Sequence, residues 1–118
     1  MDAPQLIRAF GALAQDTRLQ VFRLLLGAGP GGMPAGEVAR RLGTPHNTMS
    51  AHLAILSRAG LARSRRESRQ VFYAAELETV RRLVAFLVQD CCGGQPERCA
   101  ALLAAAMPAP TGQAGCPA

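Results

Sequence analysis

The 118-residue sequence predicts a mainly α-helical fold with one small β-hairpin. Three observations carry this. Helix-spaced apolar residues recur in four segments before residue 59 and in one after residue 76. A Gly43-Thr44-Pro45 turn joins two of those segments, and the second has a polar face. Two β-type segments then flank Glu67-Ser68-Arg69. In that order the elements make a winged helix-turn-helix.

Each element has its own justification. Pro4 to Gln15 places Leu6, Ile7, Phe10 and Leu13 at helical spacing. Asp16 is a suitable N-cap for a second helix to about Leu26, whose apolar residues Leu19, Val21, Phe22, Leu24, Leu25 and Leu26 predict extensive burial. Gly27 to Gly32 is a breaker loop, and with no Lys following it is not a phosphate-binding loop. Pro34 to Gly43 predicts a short helix with Val38, Ala39 and Leu42 inward and Gly43 at its C-terminal stop. Pro45 suits the first turn of the next helix, His46 to Arg58, which buries Met49, Leu53 and Leu56.

Gly60 ends that helix, and 61–66 and 70–74 are the expected strands of the hairpin, with Val71 and Tyr73 inward and the Arg side chains outward. Glu76 to Asp90 is the last long helix. Leu77, Val80, Val84, Leu87 and Cys91 form one stripe, and Leu83, Phe86 and Val88 widen it. One stripe suffices to dock a helix on its own domain, so the extra width predicts a second contact, most simply with a twofold partner. Residues 1–92 are thus expected to form the winged module, 91–107 a thiol-bearing segment with a short helical turn or two, and 108–118 a disordered tail rich in Pro, Gly and Ala.

Composition narrows the function. The chain is 4% aromatic with no Trp, so its core must be built from Leu, Val, Ala, Ile and a few Phe. Every Lys or Arg position is Arg, and the formal charge is +5. Between His46 and Tyr73 five Arg stand against one acid, Glu67. A basic stripe on a helix-turn-helix pattern points to double-stranded DNA. Asn47, Thr48, Ser50 and His52, with His46, are the candidate base-edge or phosphate contacts, and Arg65, Arg66 and Arg69 are the candidate wing contacts. The longest strongly apolar run, Leu83 to Val88, is far short of a membrane span, and the N-terminus does not resemble a signal peptide. Four cysteines in such a chain point to the reducing cytoplasm, where clustered thiols more often bind metals or react than form structural disulfides.

The segments Ala12-Leu-Ala-Gln-Asp-Thr-Arg-Leu19, Ser50-Ala-His-Leu-Ala-Ile-Leu56, Ala59-Gly-Leu61 and Tyr73, taken with their spacing, resemble the ArsR/SmtB bacterial metal-responsive repressors. The resemblance covers roughly the first ninety residues. It implies a homodimer joined through its first and last helices and bound to a palindromic operator. Two of the family's ligand sites have no counterpart. The helix before the recognition helix has no Cys, and Glu76 to Asp90 has no His. The wing has Ser68 where a Gly is common. The chain is similar instead to an arsenite-responsive branch with a vicinal Cys pair and a third Cys soon after the last helix.

Cys91, Cys92 and Cys99 are the candidate metal ligands. Gly93-Gly94 and Pro96 supply the flexibility and reversal that bring Cys99 back, and six intervening residues span at most ~20 Å, so closure is easy. Three thiolates suit soft ions, and trivalent arsenic or antimony needs only three sulfurs. Structural zinc prefers four, which would draw on Cys116, seventeen residues beyond Cys99. The expected inducer is therefore As(III) or Sb(III), with no organic cofactor. The alternatives are a zinc- or cadmium-responsive repressor, a thiol-redox regulator in which Cys99 pairs with one of the adjacent thiols, and a small arsenic-handling thiol protein. A buried apolar Cys91 is the bland reading. Catalysis is disfavoured. A helix C-terminus does not promote thiolate formation, and no His-Asp partner set accompanies the thiols.

Overall fold

The computed structural model describes residues 2–88 and 96–106. Along them run α1 (Ala3–Leu13), α2 (Asp16–Ala28), β1 (Met33–Pro34), α3 (Ala35–Leu42), α4 (His46–Arg58), β2 (Ala62–Glu67), β3 (Gln70–Ala75), α5 (Leu77–Val88) and α6 (Pro96–Ala106). The architecture is the winged helix-turn-helix expected from the sequence. Its sheet has one more strand than the predicted hairpin, in the order β1-β3-β2, all antiparallel. β1 pairs Met33 with Tyr73 and Pro34 with Phe72. Two residues are too few to show as a strand pattern. A proline also reads against a central strand, although it is tolerated at the edge position that Pro34 holds.

Local chemistry explains where the helices begin and end. Asp2 and Gln5 form a reciprocal cap on α1: the Gln5 N–H donates to Asp2 Oδ1 at 3.0 Å, and the Asp2 N–H donates to Gln5 Oε1 at 2.8 Å. The cap of α2 falls one residue earlier than expected. Gln15 is extended and its Oε1 accepts from the Arg18 N–H at 2.8 Å, so Asp16 is the first helical residue and its carboxylate accepts from Gln20. Pro45 likewise sits at the cap of α4 rather than inside its first turn. Gly43 closes α3 in the left-handed conformation at φ 62°, as the sequence indicated.

The core gathers the inward faces of α1 to α5 on the inner face of the sheet. Val21, Leu25, Val38, Met49, Leu53, Leu56 and Leu61 are its fully buried large side chains. Thr79 is buried with them, and its hydroxyl donates to the Gly60 carbonyl at 2.6 Å, pinning α5 to the end of α4. The Glu76 N–H donates to the Leu61 carbonyl beside it.

Three expectations of burial fail. Leu19 is exposed, as is Ile7 on α1. On α5 the inward residues are Thr79 and Leu83, with Val80 packed alongside, while Leu77 and Leu87 of the predicted stripe face outward. The Thr79–Gly60 hydrogen bond fixes the rotation of α5, and this polar anchor is invisible to a count of apolar spacing. Ile7, Leu77, Phe86 and Leu87 remain 65%, 65%, 44% and 59% exposed.

Candidate nucleic-acid interface

α4 separates its two faces cleanly. Met49, Leu53 and Leu56 are buried, while His46, Asn47, Thr48, Ser50 and Ala51 are exposed and His52 is half-buried. The polar residues predicted to meet DNA therefore share the outer side of one helix, held by core contacts on the other. His52 is met by Arg18, whose guanidinium lies 3.5 Å from Nδ1. Arg has only N–H donors, so this contact needs Nδ1 as an acceptor. Arg18 Nε also donates to the Ala12 carbonyl at 2.7 Å, so one side chain joins the end of α1, the start of α2 and the reading helix. Sequence reasoning missed Arg18 as a candidate. Its one signal was its place inside the segment that carries the family resemblance.

The wing is the β2–β3 hairpin, in register from Ala62 opposite Ala75 to Glu67 opposite Gln70, which leaves Ser68-Arg69 as a two-residue turn. Ser68 has φ 55°, a left-handed conformation that a hairpin turn of this length favours and that glycine adopts more cheaply.

Pairing sorts the arginines. Glu37 binds Arg40 and Arg41, and Glu78 binds Arg81 and Arg82. Hydrogen bonds from Arg40 and then Arg41 hold the Glu37 carboxyl down at about 2, and those from Arg81 and Arg82 do the same for Glu78. Arg63 pairs with Glu76 and also donates to the Ala75 and Pro30 carbonyls.

Arg65, expected as a free wing contact, is engaged within the chain. It bonds Glu67, donates to the Gly31 carbonyl at 3.0 Å, and stacks 4.7 Å from the centre of the Phe72 ring. The strand register explains this, because Arg63 and Arg65 share a sheet face that looks onto the 30–31 loop, while Arg66 points to the other. Among the described residues Arg66 and Arg69 make no ion pair and are exposed. Arg69 and His46 line one cleft of about 280 Å³ with Gln70 and the start of α3, so the wing tip and the start of the reading helix converge.

The predicted ligands Cys91 and Cys92 lie outside the described residues, as does Cys116; Cys99 falls within α6. Among the described residues no group of three His, Cys, Asp or Glu is placed to hold a metal ion. No described helix is long and apolar enough to cross a membrane.

Comparison with known proteins agrees with this geometry. A helix-turn-helix domain model matches residues 13–65. The chain is 40% identical over 78 residues to the HTH-type transcriptional regulator KmtR of Mycobacterium tuberculosis, covering 66% of this chain and 58% of that protein. It is 34% identical over 84 residues to a Staphylococcus aureus homologue of the cadmium resistance transcriptional regulatory protein CadC, covering 70% of this chain and 68% of the other. Both are transcriptional regulators. Among solved structures, the homodimeric winged helix-turn-helix DNA-binding domain of a possible ArsR-family regulator from Mycobacterium bovis superposes with a TM-score of 0.60 at 30% identity. That match covers 72% of this chain and 77% of that one. On these matches and this fold, the chain belongs to the ArsR/SmtB family of winged helix-turn-helix transcriptional regulators.

Proposed function

We propose that the chain is an arsenite- or antimonite-responsive repressor that holds operator DNA as a homodimer and releases it when trivalent metalloid is captured by Cys91, Cys92 and Cys99. The observation that carries this reading is the position of the thiols. Cys91 follows the last described residue of α5 by three positions, and α5 bears the unpaired apolar surface of Phe86 and Leu87. A ligand at that end acts on the helix best placed to join two copies, with Ile7 of α1 as the other exposed apolar contributor.

In the DNA-bound form two α4 helices enter successive major grooves ~34–36 Å apart. His46, Asn47, Thr48, Ser50 and His52 face base edges and phosphates. Arg66 and Arg69 contact the backbone from the wing, with Arg65 holding the base of the wing against the 30–31 loop. Three soft donors, with the fourth Cys of the chain seventeen residues beyond Cys99 in the sequence, suit a trivalent metalloid. Thiol deprotonation on binding releases protons. A coupling of ~1–3 kcal/mol between the two sites lowers operator affinity roughly 5–150-fold. The cadmium-linked relative keeps a divalent soft metal as the second reading, and oxidation of the same thiols as the third.

Operator-binding anisotropy with the DNA upstream of the protein's own reading frame tests all three. Arsenite, antimonite, zinc, cadmium and peroxide are titrated separately, against the parent chain and the Cys91→Ser, Cys92→Ser and Cys99→Ser variants. Release by arsenite or antimonite that each substitution abolishes is the expected result. Release by peroxide alone, or unaltered release in all three variants, overturns it.

A further inference from the structure

Arg8, Arg18 and Arg58 line an open cleft of about 320 Å³ between α1, α2 and the end of α4. The remaining lining residues are Gly11, Ala12, Ile55 and Ala59, so no acidic side chain lines the cavity. Arg18 is half-buried, and its guanidinium is oriented by the Ala12 carbonyl on one side and His52 on the other. Arg8 and Arg58 make no ion pair among the described residues. Elsewhere four glutamates pair with Arg40, Arg41, Arg63, Arg65, Arg81 and Arg82, whereas among the described residues no acid pairs with Arg8, Arg18 or Arg58.

Like charges around one cavity repel, and an anion between them turns that repulsion into attraction. The planar guanidinium fork matches tetrahedral oxyanions, donating paired N–H groups to neighbouring oxygens. Gly11 contributes to the opening, since a Cβ there would meet nothing within 4 Å.

We propose that this cavity binds a phosphate-type oxyanion. Two sources present that chemistry: free inorganic phosphate, and a backbone phosphate of the operator. The second rests on the operator-binding reading above, because Arg18 links the cavity to His52 of the reading helix. The first stands without it.

The test uses the full chain and the Arg8→Gln, Arg58→Gln and doubly substituted variants, with Arg81→Gln as a remote arginine control. Inorganic phosphate is titrated calorimetrically without DNA, and operator affinity is measured across a salt series. Melting temperature and dimer mass are followed for every variant, and the Arg8→Lys/Arg58→Lys pair restores charge without the planar fork. Saturable phosphate binding that the double substitution abolishes, with the salt slope unchanged, assigns the site to the free anion. A salt slope reduced by about 1 for each arginine removed, with no calorimetric phosphate binding, assigns it to the DNA backbone. The proposal is overturned if phosphate binds equally to parent and double variant, or if it binds to neither and the slopes match the Arg81→Gln control. Failure of the parent chain to bind operator sinks the functional reading and leaves the phosphate arm to decide the cavity.

Discussion

Replacing Gly32 with alanine would place a methyl carbon 2.4 Å from the Tyr73 carbonyl oxygen and 2.9 Å from its carbonyl carbon. Both are backbone atoms of β3, so relief requires moving the strand rather than turning a side chain. Gly32 also has φ +77°, a left-handed backbone that costs an L-residue roughly 1–2 kcal/mol. Forcing an extra carbon into a packed site costs about 1–3 kcal/mol more. The sum, about 2–5 kcal/mol, is a large share of the ~5–15 kcal/mol that holds an ordinary domain folded. Gly43→Ala is the matched control, with a similar φ of +62° and nothing within 4 Å of the new Cβ, so only the backbone cost applies. Urea denaturation at one fixed protein concentration, which keeps any dimer linkage constant, should rank the midpoints parent, Gly43→Ala, Gly32→Ala. Equal midpoints for the two variants would refute the reasoning, because the carbonyl contact would then carry no cost. The displaced strand is the one whose neighbours anchor the wing, so Gly32→Ala should also loosen the Arg63 and Arg65 contacts to the Pro30 and Gly31 carbonyls.

Other substitutions separate roles that look alike in the sequence. Arg66→Ala and Arg69→Ala should each weaken operator binding and lower its salt slope by about 1, whereas Arg65→Ala should mainly lower the melting temperature; a full slope change for Arg65 would return it to the DNA contacts. Thr79→Val keeps the shape but leaves the Gly60 carbonyl without its donor, so unfolding free energy should drop by about 0.5–1.5 kcal/mol, and an unchanged value would show that the hydrogen bond does not anchor α5. Ser68→Gly should stabilise the wing by up to about 1 kcal/mol by removing left-handed strain; destabilisation would show that chain entropy outweighs it.

Glu37 and Glu78 are held near 2 by their arginines, below their ordinary value of 4.5. A depressed carboxylate adds stability that is present above the unfolded value and is lost as pH falls from 4.5 toward 2. Glu78 is exposed, Glu37 is half-buried and their arginine partners are exposed, so this contribution is small and salt-sensitive. The Glu37→Gln/Glu78→Gln variant should flatten the melting temperature across that window at low salt, and an identical acid profile would assign the effect elsewhere.

Most of the fold was legible because its signals are local. Polar residues on one side of His46–Arg58 and Met49, Leu53 and Leu56 on the other define that helix at single-turn range. Gly43 marks the end of the helix before it, and Gly60 its own end, for reasons of backbone geometry. The candidate DNA contacts on α4 followed from the same periodicity, but the half-burial of His52 and its contact with the distant Arg18 did not. β1 was not legible, since two residues beside a proline carry too little pattern. Nor was the rotation of α5, which a single hydroxyl to a carbonyl nineteen residues away decides.

By itself, then, the sequence determined the order of the first five helices and the hairpin, the polar outer face of α4, the basic wing and the three thiols placed after the last long helix. Only tertiary structure decided which arginines are free. Charge is a property of composition, but pairing depends on distance. The strand register turns Arg63 and Arg65 toward the 30–31 loop and leaves Arg66 on the opposite face. The same folding draws Arg8, Arg18 and Arg58, from three different helices, around one cavity.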